Sequence, residues 1–257
     1  MKKRISVVLA VLYLFLTFTG CSNASKKQST ITVAAAASLK NCMDEKIIPA
    51  FQTKYPNIKV QATYDSSGKL QTQIEQGANV DVFFSAAMKQ MTALTDKDLV
   101  TKDSVIQLLE NKIVLIVPTN STKGISTFQD IVKADKIALG DPASVPAGQY
   151  TKEAYTKLNL WDQISKKISQ GTNVTEVLNW VAAGSADAGV VYATDAASNK
   201  NVKIVAEAPA GSVSKVIYPV GIVKASKNQD AAKNFEEFLK SDDALKIFAS
   251  YGFTANK

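Results

Sequence analysis

The sequence predicts an α/β protein of two lobes, each a mainly parallel sheet flanked by helices. Three observations predict it. From residue 31 onward, short β-branched runs alternate with amphipathic segments, the mark of βαβ units. About thirteen such elements follow one another, more than one small sheet accommodates. Two continuous apolar runs, KIVLIVP (112–118) and VIYPVGIVK (216–224), are each followed by a polar change, as expected where a chain crosses between lobes.

In chain order, ITVAAAA reads as a strand, SLKNCMDEKIIPAFQTKYP as a helix ended by Pro56, IKVQATY as a strand, KLQTQIEQGA as a helix and VDVFFSA as a strand. After KIVLIVP come the helix TFQDIVKAD, the strand KIALG, the helices GQYTKEAYTKL and VTEVLNWVAAG and the strands AGVVY and VKIVAE. VIYPVGIVK leads to a closing helix, whose buried face is marked by Phe235, Phe238, Leu239, Leu245 and Phe248. The expected division is residues 31–112 plus 218–257 for lobe 1 and 113–217 for lobe 2.

The N-terminus has another character. MKKR, the apolar run ISVVLAVLYLFLTF and then TGC form a secretory signal over residues 1–20, and the run is short for a membrane span. Thr19 and Gly20 before Cys21 resemble the lipobox of bacterial lipoproteins, with Phe18 in place of the usual leucine, so Cys21 is the expected lipidation site. Residues 21–30 are polar and read as a tether. The expected location is the outer face of the cell membrane, held by two acyl chains.

Composition excludes several chemistries. With 46% apolar and 21% charged residues the chain is expected to fold rather than stay disordered. The formal charge of +7 falls to +4 without Lys2, Lys3 and Arg4, from 27 basic against 23 acidic residues, and the lysines are scattered, so no nucleic-acid partner is expected. There is no histidine, and Arg4 is the single arginine, which excludes a Ser/His/Asp triad and any arginine clamp in the mature protein. Two cysteines without CxxC spacing suggest neither zinc nor redox chemistry, and Cys42 reads as a buried apolar residue. Ser66 with Lys69 and Ser212 with Lys215 match S-x-x-K, but no SDN or KTG accompanies them, which leaves a serine hydrolase as a remote alternative. No GxxxxGK[ST] occurs, so any ATP is used by a partner.

Ligands of open α/β sheets collect at strand ends where helices begin. Four such corners stand out. Ser38 follows four alanines that keep the strand end slim; Ser66 and Ser67 with Gly68 open the next helix; GDPASVPAGQY is stiffened by Pro142 and Pro146 and presents Ala147 or Gly148; Asn173 and Val174 open a later helix. Tyr192 ends a strand and can offer its phenol. Each feature alone also fits an ordinary cap or core residue. Together they describe a cleft of neutral donors suited to an oxyanion.

The motifs AAASL, the serine pair before LQTQIEQGA, VDVFFSA, the GDPASVPAGQY loop, VVYATDA, YPV and the final YGF resemble those of the molybdate-binding proteins of ABC transporters, over residues 31–253. The resemblance implies a two-lobed periplasmic-binding-protein fold with the ligand in the cleft between the lobes, and a monomer that binds molybdate or tungstate without a cofactor or directly coordinated metal and passes it to a permease with ATPase subunits. By position it implies Ser38, Ser67, Ala147, Val174 and Tyr192 as ligands of the anion. Gly68 and Lys69 stand where the family more often has serine and threonine. Sulfate, another ionised tetrahedral dianion, is the main alternative ligand.

Overall fold

The computed structural model describes residues 28–256. The expected signal, Cys21 and residues 21–27 of the tether lie outside them. Strand β1 (Ser29–Ala36) begins two residues before the predicted strand, inside the stretch read as tether.

The first sheet contains β1, β2 (Ile58–Asp65), β3 (Val82–Phe84), β4 (Ile106–Glu110), β10 (Ile217–Ile222) and β11 (Thr254–Ala255), in the order β11-β4-β10-β3-β1-β2. The second contains β5 (Ile113–Pro118), β6 (Ile137–Gly140), β7 (Ile168–Gly171), β8 (Ala188–Tyr192) and β9 (Val202–Glu207), in the order β7-β6-β8-β5-β9. Asn111 and Lys112 link β4 of the first sheet to β5 of the second, and the chain returns between β9 and β10.

Each sheet is mixed. Pairing is parallel in β2-β1-β3 and β7-β6-β8, where helices connect the strands. It is antiparallel around β10 and β5, the strands that arrive from the other lobe without a helical crossover of their own. The expectation of mainly parallel sheets therefore holds for the parts that carry the strand-to-helix corners.

The predicted first helix is continuous over 37–54 but not uniform, with a 3-10 turn at Ala37–Leu39 and a π segment at Met43–Ile47 before Ile48–Lys54. Pro49 supplies the reason, since it has no N–H and its ring displaces the carbonyl one turn back, so the ladder widens just before it. TFQDIVKAD gives only a 3-10 helix, Phe128–Lys133, closed by a Thr127/Asp130 capping box. The closing helix is two, Gln229–Leu239 and Asp242–Ser250, because Ser241 turns out of the first and caps the second, accepting from the Ala244 N–H at 3.3 Å. Phe235, Phe238, Leu239 and Phe248 are buried as predicted, and Leu245 is half-buried. Phe235 packs edge-on against Phe51 at 4.9 Å, which holds the end of the chain to the first helical run.

Candidate functional site

Each lobe sends two helix N-termini to one place. The first lobe contributes the turn at Ala37–Leu39 and the helix Ser67–Glu75, and the second contributes the helices Pro146–Lys157 and Val174–Ala182. Between them lies a small cleft lined by Ser38, Ser67, Ala147, Val174 and Tyr192, all five positions carried over from the sequence resemblance. Its lining also includes Ala36, Ala37 and Ala86, which the reading of strand ends did not single out as contacts, except for the slimness of the alanine run.

Local chemistry explains each corner. Ala34, Ala35 and Ala36 are buried with no side chain beyond Cβ, so the backbone reaches the cleft wall and Ser38 follows at once. Of the serine pair, Ser66 is the N-cap and takes the Lys69 N–H, whereas Ser67 is the first helical residue and accepts the Ala86 N–H at 2.9 Å. The capping rule could have separated the two serines, because the first of such a pair is the one outside the helix. Pro146 occupies the first helical position, where its missing N–H is no loss, and leaves Ala147 as the leading amide. Gly148 is required behind it: a Cβ there would lie 1.9 Å from the Gly140 carbonyl oxygen at the end of β6. Asn173 caps the fourth corner, accepting from the Glu176 N–H at 3.0 Å, and Val174 follows.

The amides of Ser38, Ser67, Ala147 and Val174 stand at the first or second position of their helices, where no carbonyl of the same helix precedes them to accept. Tyr192 is buried, and burial, with neighbouring Tyr218, holds its phenol pKa well above the ordinary value, so it remains a neutral donor. Its hydroxyl donates to the Ala86 carbonyl across the cleft at 3.4 Å. Among the described residues no lysine lines the cleft. The nearby carboxylates are occupied by their own loops: Asp65 accepts from the Ser66 N–H at 2.7 Å and lies 3.4 Å from Lys69 Nζ, and Asp141 accepts from the Ala143 N–H and the Ser144 hydroxyl. A pocket lined with donors where helices begin stabilises negative charge without an ion pair.

The lobes are shut over this pocket. The Gly68 N–H donates to the Ser144 carbonyl at 2.9 Å, and Gln90 Nε2 to Gln149 Oε1 at 3.2 Å, both from one lobe to the other. Neither S-x-x-K pair is arranged for catalysis. Lys69 faces Asp65, Lys215 lies 2.6 Å from Glu110, and Ser212 donates to the Pro209 carbonyl, so in each pair the lysine amine is turned to a carboxylate and away from its serine.

A two-lobed fold closed on a small donor-lined cavity defines a solute-binding protein. The chain belongs to the bacterial extracellular solute-binding protein family, whose model matches residues 31–254, and it is accordingly a binding protein and not an enzyme. It is similar to YvgL of Bacillus subtilis, provisionally named an ABC transporter substrate-binding lipoprotein, with 45% identity over 260 residues, 99% of this chain and 100% of that protein. It is also similar to the molybdate-binding protein ModA of Haemophilus influenzae, with 38% identity over 262 residues, 99% of this chain and 100% of that one. A solved structure from Clostridium difficile, provisionally described as the substrate-binding domain of a molybdenum ABC transporter, matches with a TM-score of 0.69 and 41% identity over 89% of this chain and 100% of that chain. These relatives bear out the family resemblance read from the motifs.

Proposed function

We propose that this protein captures molybdate, and also tungstate, outside the cytoplasm and delivers it to an ABC permease driven by ATPase subunits. The observation that carries the reading is the convergence of four helix-start amides with the Ser38, Ser67 and Tyr192 hydroxyls on one cleft that, among the described residues, no lysine lines. Ser38 and Ser67 would donate from one lobe, Ala147, Val174 and Tyr192 from the other, the Tyr192 proton turning from the Ala86 carbonyl to the ligand, so the anion itself completes the contact between lobes 31–112 plus 218–257 and 113–217. Closure is then the signal a permease reads. A ligand that carries a proton needs an acceptor in the pocket, and the carboxylates beside it are already engaged. Sulfate meets the charge requirement but is smaller, and a rigid cleft rejects it by leaving donors too far away.

Titration calorimetry of the full chain in mild detergent tests this. Molybdate and tungstate are expected to bind tightly, with sulfate and phosphate far weaker; a preference for sulfate would replace the ligand, and no binding by any of the four would remove the anion reading. The protein is further proposed to act as a monomer anchored through lipid on Cys21. A Cys21→Ser chain is expected to leave the membrane fraction and appear in the medium or periplasm, with its oxyanion affinity unchanged. Retention of that variant in the membrane would mean that something other than Cys21 holds it there.

A further inference from the structure

Ser38 has a second set of neighbours apart from the cleft. Its Oγ lies 2.9 Å from the Tyr218 hydroxyl, Tyr218 Oη lies 3.3 Å from Asn111 Nδ2, and Asn111 Nδ2 lies 2.9 Å from Thr194 Oγ1. Asn111 sits in the link between the sheets, Tyr218 on the returning strand β10, and Thr194 just beyond Tyr192 in the second lobe. Hydroxyls can donate or accept, so distances alone give this chain no direction.

The amide gives it one. Asn111 Oδ1 accepts the Lys112 N–H at 2.8 Å. Turning the amide over would set its NH₂ against that N–H, donor against donor, so the nitrogen must face Tyr218 and Thr194. Its two hydrogens then serve those two oxygens, one each. Tyr218 receives from Asn111, and burial pushes its phenol pKa well above the ordinary range, so it keeps its own proton. The described acceptor for that proton is Ser38 Oγ. Ser38 is therefore a recipient on this side, and its own hydrogen is left for a ligand. Ser67 is set the same way by the Ala86 N–H, which occupies its oxygen at 2.9 Å.

We infer that Asn111 and Tyr218 are positioning residues that fix Ser38 as a donor to the bound anion, so that the site selects oxyanions bearing no proton. The inference rests on the proposal that Ser38 binds the anion. Aligned donors in a buried chain also strengthen one another, which makes the Ser38 contact stronger than an isolated hydroxyl would be.

A double-mutant cycle, read by calorimetry of the full chain with molybdate, tests it. Tyr218→Phe is expected to weaken binding about tenfold in the parent protein and less than about twofold in a Ser38→Ala background, because coupled residues are non-additive. Equal losses in the two backgrounds, or none in the parent, would overturn the inference, since a general loss of packing does not depend on Ser38. Asn111→Asp provides a second test should Tyr218→Phe fail to fold. It offers acceptors to Lys112, Tyr218 and Thr194 alike, reverses the chain, and is expected to narrow the preference for molybdate over phosphate by at least about tenfold. An unchanged preference would also overturn it. A parent chain that binds no oxyanion would instead sink the proposed function, and the two failures are distinct.

Discussion

Gly68→Ala is expected to weaken anion binding between about fivefold and more than a hundredfold while leaving the unliganded protein as stable as before. A Cβ at position 68 would stand 2.4 Å from the Ser144 carbonyl oxygen and 2.8 Å from Ser144 Cα. Ser144 belongs to the other lobe, in a loop tied down by the Val145 N–H to Asp141 carbonyl bond of 2.7 Å and by the Asp141 side chain. Backbone meets backbone, so neither partner can swing aside. The same methyl would stretch the Gly68 N–H to Ser144 bond that closes the cleft. Overpacking of this kind costs about 1–3 kcal/mol, and at about 1.4 kcal/mol per tenfold change that gives the stated range. The contact joins the two lobes, so the loss is expected to fall on closure and hence on affinity. Inside the helix Ser67–Glu75 an alanine is favoured over glycine by about 0.5–1 kcal/mol, which protects the open protein. Calorimetry paired with ligand-free melting checks both halves. Unchanged affinity, or a melting temperature that drops without ligand, would mean that the contact is not a closure contact.

This dependence on the far lobe also marks where sequence reading stops. The apolar runs behind β1, β5, β8 and β10 were legible because burial on both faces leaves continuous hydrophobic stretches. The four corners were legible for a local reason as well: a cap residue, a proline at the first helical position and small residues at a strand end all announce a helix start within a few residues. The helix Met88–Asp96 was not read, since its N-cap is Ala87 and no capping side chain signals it. Nor does any local pattern say that Tyr218, near the start of a buried strand, reaches Ser38 180 positions away, or that Ala86 touches both Ser67 and Tyr192. The break at Ser241 was missed because apolar residues keep helical spacing on both sides of it. Pairing of those surfaces is decided by tertiary packing, which one-dimensional spacing does not encode.

Asp195→Asn is expected to stabilise the protein by about 2–4 kcal/mol at pH 8 relative to the parent, with a gap that shrinks toward pH 4. Asp195 is 7% exposed and caps the short helix Ala193–Ala197, accepting from the Tyr192 N–H at 3.3 Å. Burial raises its carboxyl pKa from 3.8 to about 7, the Tyr192 N–H opposing this only in part. Among the described residues no lysine pairs with it. The folded chain thus holds a proton that the unfolded chain has already released between these two values. The contribution of Asp195 is full below about pH 4, falls by about 1.4 kcal/mol per pH unit on the way to pH 7 and is flat above it. Asparagine keeps an acceptor for the Tyr192 N–H and carries no charge at any pH. Other carboxylates tilt the curve the opposite way in acid, among them Asp130, held below its ordinary range by Lys133 and by the Thr127 and Ser126 amides. Subtracting the parent's denaturation curve from the variant's at each pH removes them. A difference that does not grow between pH 4.5 and pH 8 would show that Asp195 is already ionised and accommodated in the fold. Binding supplies a second reading of the same charge. Asp195 and Ser38 line one adjoining pocket, and Asp195 accepts the Tyr192 N–H, so an ionised carboxylate stands close behind two of the proposed anion donors. Like charges in a low-dielectric interior repel strongly, and the variant is expected to bind molybdate more tightly than the parent at pH 8 and equally at pH 5.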